Sequence, residues 1–380
     1  MVIGYDAKRA YCNKTGLGNY SRKLITSLAE AHPEDRFFLY SPTFEGDYKT
    51  EFSGYGNISS RQPRGLDRKT PGLWRSHGVS LHLLGDRVQL FHGLSHELPR
   101  AIPHSIRKVV TMHDLIVWRH PEYYKPFDVM VHRIKQRHAC RVADVVVAIS
   151  EQTKKDLIKF LHVPEKKIRV IYQSCDDIFW RPIDEEAKRD CREKYDLPEK
   201  YILCVGSVEP RKNQAAVVKA LGELPEDISL VLVGRTHGLY HAEVQHAIRS
   251  LSLSNRVRII DDADFEDFPA LYANAVASAY MSHFEGFGIP ILESMCCDTP
   301  VLTSNLSSMP EAGGEAALYA DPKNPHDIAE KLKHIVSDQA LRERMIAKGR
   351  TQREKFKGDE IADQYYNLYS SLIKKTKQHG

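Results

Sequence analysis

One stretch, SAYMSHFEGFGIPILESMCCDTPV (278–301), sets the architecture. SAYMS is a short β-rich run that ends in polar residues. Glu285-Gly286-Phe287-Gly288 is a glycine-spaced loop, and Pro290 then opens a helix, since proline lacks an N–H that the first turn could not use anyway. A second strand starts at TPV (299–301). Strand, loop, helix and strand in this order belong to a parallel sheet. Working outward, the unit recurs. YILCVGS (201–207) precedes the loop VEPRKN and a helix from about residue 213, and ISLVLVG (228–234), RVRIID (256–261) and ALYADP (317–322) continue the strand series. An earlier series comprises MVIGYDA (1–7), FFLYSP (37–42), VQLFHG (88–93), RKVVTMHDL (107–115), DVVVAIS (144–150) and IRVIYQS (168–174). Helical spacing appears in NYSRKLITSLAEA (19–31), over 126–142 and over 151–161. KRAYCNKTGLG (8–18) is expected as loop, 44–72 as irregular and mobile, and DDIFWRPIDEEAK (176–188) as a linker.

The restart near residue 200, in a chain of 380 residues, predicts an α/β protein of two doubly wound, Rossmann-like domains. Their expected limits are 1–180 and 181–358. Residues 359–380 form an amphipathic helix with Ile361, Tyr365, Leu368, Tyr369, Leu372 and Ile373 on one face, packing back on the first domain. Two such domains facing across a cleft would collect ligands at the carboxyl ends of their strands, where helix N-termini point.

Composition narrows the function. With 42% apolar and 27% charged residues the chain is an ordinary globular protein. No run of apolar residues is long enough to cross a membrane, and MVIGYDAKRAY does not resemble an export signal. Seven cysteines without C-x-x-C spacing are expected as free thiols in a reducing cytoplasm. Residues 1–180 carry 28 Lys+Arg against 19 Asp+Glu, whereas 181–380 carry 26 against 31. The basic half is expected to meet something anionic. No nucleic-acid-binding pattern accompanies the charge, so nucleic acid is not expected. The stretch 61–77, with Arg61, Arg64, Arg68, Lys69, Trp74 and Arg75, suits either a solvated loop or docking on an anionic membrane.

The chemistry-bearing residues lie on loops after strands. Gly286 and Gly288 let backbone approach a ligand, and the amides of Gly286, Phe287 and Gly288 with the helix dipole attract an anion. Glu285 stands before this nest and Glu293 beyond it, in what is expected to be the first helical turn. A phosphate site flanked by two carboxylates suits a nucleotide sugar. Arg211 and Lys212 offer a guanidinium fork and a point charge to a diphosphate. Gly16 and Gly18 stand between a strand and a helix but lack the third glycine of a dinucleotide fingerprint. His113 and Asp114 close a strand, and His113 could hydrogen-bond a sugar hydroxyl or act as a base.

FEGFGIPILESM followed by TPV, with GSVEPRKN upstream, resembles the retaining glycosyltransferases of family 4, which have the GT-B fold. YDAKRAYCNKTGLGNYSRKL, HGLSHELP (92–99), MHDLIVWRHPEYY and VVAISEQTKKDL are similar to the branch of bacterial mannosyltransferases that assemble O-antigen and capsule. The resemblance spans essentially the whole chain. It implies transfer of a hexose to a growing cell-surface glycan or a polyprenyl-diphosphate-linked acceptor, with mannose from GDP-mannose favoured by the branch and UDP-linked hexoses left open. It also implies a cytoplasmic enzyme, peripheral at the inner membrane face. By resemblance, Glu285 contacts donor-sugar hydroxyls, Glu293 holds the ribose, and Arg211 and Lys212 bind the diphosphate with the amides at 286–288. Gly16 and Gly18 close over the donor, and His113 touches the sugar ring. The leaving phosphate helps deprotonate the acceptor on the same face. Two departures from the family pattern are Cys297-Asp298-Thr299-Pro300, where C-G-T-P is usual, and Met281-Ser282, where Pro-Ser is usual. Neither is expected to abolish activity.

No cofactor and no metal are expected. No Asp-x-Asp pair beside a strand end is recognised, and Asp261-Asp262-x-Asp264, the nearest acidic cluster, is read as a loop near the base site. The alternatives are a GT-B sugar-nucleotide epimerase, which would need no acceptor, and a catalytically silent nucleotide-sugar-binding assembly subunit. A pyridoxal-phosphate phosphorylase is disfavoured by length and by the lack of a marked lysine motif.

Overall fold

The computed structural model describes residues 1–44, 48–236 and 238–377. It divides into two compact units, one of Met1–Ser174 with Lys357–Gly380 and one of Cys175–Phe356. The sequence boundaries at 180/181 and 358/359 thus fall a few residues later than the divisions observed.

The first unit holds β1 (Val2–Asp6), β2 (Arg36–Tyr40), β3 (Ile58–Arg61), β4 (Leu90–Gly93), β5 (Arg107–Met112), β6 (Val145–Ala148) and β7 (Ile168–Val170). They form one parallel sheet in the order β3-β2-β1-β4-β5-β6-β7. The second unit holds β8 (Tyr201–Val205), β9 (Ser229–Val233), β10 (Val257–Ile260), β11 (Ala277–Tyr280), β12 (Val301–Ser304) and β13 (Ala317–Ala320). These too are parallel, in the order β10-β9-β8-β11-β12-β13. Both orders reverse direction once, between β1 and β4 and between β8 and β11. This is the doubly wound arrangement that the strand–helix alternation predicts.

The central strands are short and apolar because helices cover both sheet faces, whereas the edge strand β3, ISSR, is polar and only partly buried. Along β2, Phe37 and Leu39 enter one buried cluster with Ile3, Tyr5 and Leu28. Phe38 and Tyr40 enter another with Phe91, Val110 and Met112. Alternate side chains of a strand point to opposite faces, so a sheet buried twice needs apolar residues at every position. In the second unit Ile202, Leu230, Leu232 and Leu302 share a cluster with Val217, Val218, Ile328 and Leu332.

Several expectations change. The expected loop at 8–18 contains a helix, Lys8–Cys12, and the next helix, Gly16–Ala31, already includes Gly16 and Gly18. Residues 58–61, inside the stretch expected to be irregular, are β3, paired in register with β2. Residues 45–47 of that stretch lie outside the described residues. The linker carries a short turn at Asp177–Trp180 and then the helix Glu185–Lys194, capped by the Asp184 carboxylate, which accepts from the Ala187 amide. Six of the cysteines are buried free thiols and Cys12 is exposed.

The C-terminal helix, Gly358–Lys377, belongs to the first unit. Apolar contact alone would leave its tyrosine hydroxyls unsatisfied. A buried network answers this: Tyr365 and Tyr20 hydroxyls lie 2.7 Å apart, Tyr20 reaches Thr111 Oγ1 at 3.0 Å, and His92 joins Thr111 at 2.9 Å and Tyr369 at 2.6 Å. Burial lowers the His92 pKa to about 3, so its ring is neutral and one nitrogen accepts while the other donates. Tyr365→Ala removes both a buried ring and a network member. It is expected to destabilise the first unit by about 3–5 kcal/mol, read as a lower urea midpoint for that unit's unfolding, while Tyr365→Phe costs far less.

Candidate active site

In the second unit the strand order reverses between β8 and β11, and the loops leaving these two strands carry Arg211-Lys212 and Glu285-Gly286-Phe287-Gly288. The loops are laced together. Asn213, at φ 60°, donates its side-chain amide to the Met281 and Pro322 carbonyls at 3.3 and 2.7 Å. The His283 amide donates to the Arg211 carbonyl at 2.9 Å, and Arg211 Nη1 donates to the Phe284 carbonyl at 3.1 Å. Gly206, at φ 129°, lets Lys212 fold back, since a Cβ there would stand 3.2 Å from Lys212 Nζ.

Glu285 is the centre of the cluster. Its Oε1 pairs with Arg211 Nη1 and lies 3.2 Å from Lys212 Nζ. The same oxygen accepts hydrogen bonds from the Tyr280 hydroxyl at 2.6 Å and the Ser282 hydroxyl at 3.0 Å. Lys212 Nζ also donates to Tyr280 at 2.8 Å, and Arg211 Nη2 pairs with Glu209 at 2.6 Å. Burial by itself would raise the Glu285 pKa; Lys212 and Arg211 overcome it and hold the carboxyl at about 2. Burial likewise opposes the charges on Arg211 and Lys212, and Glu285 outweighs it, so both stay firmly protonated. The site is thus a pair of fixed cations held against Glu285, with Glu209 as a second partner of Arg211, and it can meet an anionic ligand that displaces or shares these carboxylates.

The helix Ile289–Cys296 starts at Gly288, its N-cap, at φ 119°, with Pro290 in the first turn. Glu293 is its fifth residue and lies in the second turn, one turn later than the sequence suggests. Its Oε2 accepts from the Tyr272 hydroxyl at 2.9 Å. Burial pushes this carboxyl up to about 7 against that hydrogen bond and the attraction of Lys212. The carbonyls of Glu285 and Phe287 accept from the Ser307 and Ser308 hydroxyls at 2.7–2.9 Å, which fixes the glycine loop's path.

Residues 15–177 match the model of Glycosyltransferase Family 4, and 187–352 match Glycosyl transferases group 1. This chain is a glycosyltransferase. An O-antigen chain mannosyltransferase B of Escherichia coli is 28% identical over 374 residues, covering 94% of this chain and 96% of the relative. The O-antigen chain mannosyltransferase RfbU of Salmonella typhimurium is 28% identical over 84% of this chain and 87% of its own. Solved structures show the same fold. Anabaena HepE in complex with UDP and glucose has a TM-score of 0.75 at 19% identity, covering 98% of this chain and all of its own. The sucrose-phosphate synthase of Thermosynechococcus elongatus has a TM-score of 0.77 at 19% identity, covering 98% and 99%.

In this glycosyltransferase the fold brings Arg211, Lys212 and Glu285 into direct contact, with Glu293 close enough to Lys212 to feel its charge. Gly16, Gly18 and His113 belong to the other unit. Gly18 has a steric reason to be glycine: a Cβ there would stand 1.8 Å from the Asn13 carbonyl oxygen, whereas one at Gly16 would meet nothing within 4 Å. His113 is buried, with Nε2 2.8 Å from the Leu94 carbonyl and Nδ1 2.6 Å from Gln173 Nε2. Burial and His96 lower its pKa to about 3. A neutral ring donating to Leu94 and accepting from Gln173 leaves neither nitrogen to take a proton, so the base role considered for His113 does not hold. Asp114 caps the turn at Ile116 through its amide.

Other readings are corrected. Asp262 and Asp264 do form an Asp-x-Asp pair just beyond β10, but Asp264 pairs with Lys194 at 2.6 Å. Of the six side chains named in 61–77, three are occupied within the fold. Trp74 is buried, Arg61 pairs with Asp86, and Arg75 forks between Asp6 and Glu97 at 2.7 Å each. Asp298, in place of the family's usual glycine, adopts φ 54° and holds Arg350 through two hydrogen bonds at 2.7 and 3.0 Å. Sequence reasoning missed Tyr280, Tyr272, Ser307 and Ser308. Tyr280 sits in a strand, where an aromatic is expected for packing alone.

Glu293 gives the site a pH signature. The folded chain holds its proton more tightly than the unfolded chain, so stability falls as pH rises from about 4.5 to about 7. Glu293→Gln should remove this decline and gain up to about 3 kcal/mol above pH 7, measured as chemical-denaturation midpoints of both proteins across pH 4–8.

Proposed function

We propose that this glycosyltransferase transfers mannose from GDP-mannose, with retention, to a growing cell-surface glycan or a polyprenyl-diphosphate-linked acceptor. The observation that carries the reading is the Arg211–Glu285–Lys212 cluster on two loops at the strand-order reversal. The names of the two O-antigen mannosyltransferases that match most of the chain support the sugar. A Campylobacter jejuni relative named for transfer to a diphospho-undecaprenol-linked acceptor, 29% identical over 58% of this chain and 58% of its own, supports a lipid-linked acceptor.

In this reading Arg211 and Lys212 meet the donor diphosphate and neutralise charge as the bond from anomeric carbon to phosphate oxygen breaks. Glu285 exchanges part of its ion pairing for hydroxyls of the sugar, and Glu293 binds the ribose. The backbone around Gly286, Phe287 and Gly288 approaches the diphosphate at the helix start. The acceptor oxygen bonds to the anomeric carbon on the face the phosphate leaves, and its proton passes to a phosphate oxygen. Gly16, Gly18 and the ring of His113 are assigned to the donor on family resemblance. The two cations take the place of a metal ion, and the protein works in a reducing cytoplasm, peripheral to the inner membrane. Among the described residues no helix is long and apolar enough to cross a membrane.

Lys212→Ala and Glu285→Gln should each lower kcat by about 100- to 1,000-fold. The assay is GDP-mannose turnover with acceptor, with thermal shift by GDP showing weaker diphosphate binding in Lys212→Ala. Cellular polysaccharide left unchanged by both substitutions would favour the silent-subunit alternative, and interconversion of a nucleotide sugar incubated without acceptor would reveal an epimerase. EDTA should leave the mannosyl-transfer rate within about twofold of that in added Mg²⁺; a larger loss would show that the Arg–Lys pair does not suffice.

A further inference from the structure

The helix Pro126–Val142 buries Val129, Gln136, Ala139 and Cys140 against the first unit. Its opposite face should be polar in a surface helix. Instead Phe127, Met130 and Ile134, spaced three and four residues apart and so on one face, are 69%, 51% and 48% exposed. Tyr123 and Tyr124, in the turn leading into the helix, are also exposed. The same outer face continues into Arg137 and Arg141, and Lys125 precedes its start, all exposed, against the acids Glu122 and Asp128. An apolar stripe bordered by cations and two tyrosines matches a bilayer interface, where apolar side chains enter the acyl boundary, tyrosines sit at headgroup level and cations meet anionic lipids.

We propose that this face of the helix Pro126–Val142, with Tyr123 and Tyr124, docks the enzyme on an anionic lipid bilayer. The charge of the stripe's border selects a bilayer bearing negative headgroups over an uncharged one. The proposal deepens the function proposed above, and rests on it for the reason that a lipid-linked acceptor lies in such a bilayer. It replaces the stretch 61–77 as the contact, because Trp74 and Arg75 there are turned inward or paired.

Co-sedimentation of the full chain with vesicles of equimolar phosphatidylglycerol and phosphatidylcholine tests it. Wild type should pellet with these vesicles, at least about tenfold more weakly with phosphatidylcholine alone, and less as salt rises. The triple variant Phe127→Ser, Met130→Ser, Ile134→Ser and the double variant Lys125→Glu, Arg141→Glu should each lose binding by about tenfold or more. Both variants should keep the wild-type Tm and its increase with GDP, which shows that the fold and donor site are intact. Wild type remaining in the supernatant overturns the proposal. So does undiminished binding by the triple variant, or a wild-type dimer that the triple substitution splits, since that face would then belong to a second copy. Failure of the function proposal would show separately, as no GDP effect on Tm with vesicle binding retained.

Discussion

A parallel sheet whose strand order reverses once has a single place where neighbouring strands send their following loops to opposite faces. The constraint follows from chain connectivity: each parallel strand needs a crossover, and crossovers on the two sides of the reversal diverge. In the second unit that place lies between β8 and β11. Everything chemical in the unit gathers there, since the loop after β8 brings Arg211 and Lys212 and the loop after β11 brings Glu285 and the glycine turn. Buried sheet faces on either side leave no room for charge, so the polar residues collect at the strand ends.

The charge cluster that results is balanced within itself. Two cations close to two carboxylates, Glu285 and Glu209, lower the cost of burying these charges, and Tyr280 and Ser282 add hydrogen bonds to Glu285 Oε1. Such an arrangement holds the two cations in position before any anionic ligand arrives, which limits the rearrangement that binding one would need. The buried network of Tyr20, His92, Thr111, Tyr365 and Tyr369 solves a different problem. It satisfies polar groups where the last helix returns to the first unit, so that helix has one register instead of several equivalent apolar ones.

Much of this was legible in the residues. Short apolar runs punctuated by glycine and proline identify every strand except β3, because a strand buried on both faces shows as a largely apolar run. Pro290 and the spacing of Gly286 and Gly288 mark the helix start. The misreadings share a physical cause: local signals do not report on tertiary partners. ISSR at 58–61 is too polar to register as a strand until β2 is beside it. Trp74 and Arg75 look like a surface patch until Asp6 and Glu97, distant in sequence, supply the guanidinium's partners. His113 looks reactive at a strand end until Leu94 and Gln173 occupy both ring nitrogens. Tyr280 and Tyr272 escaped notice because an aromatic residue in a strand or helix is ordinarily explained by packing.

The cysteine distribution has a practical consequence. With six thiols buried and Cys12 exposed, a maleimide dye would enter the folded protein at one place. Cys12 ends the short helix Lys8–Cys12 and adjoins Asn13, whose carbonyl stands against Gly18. A fluorophore on that sulfur would therefore act as a local optical reporter on the glycine turn, with no engineered residue.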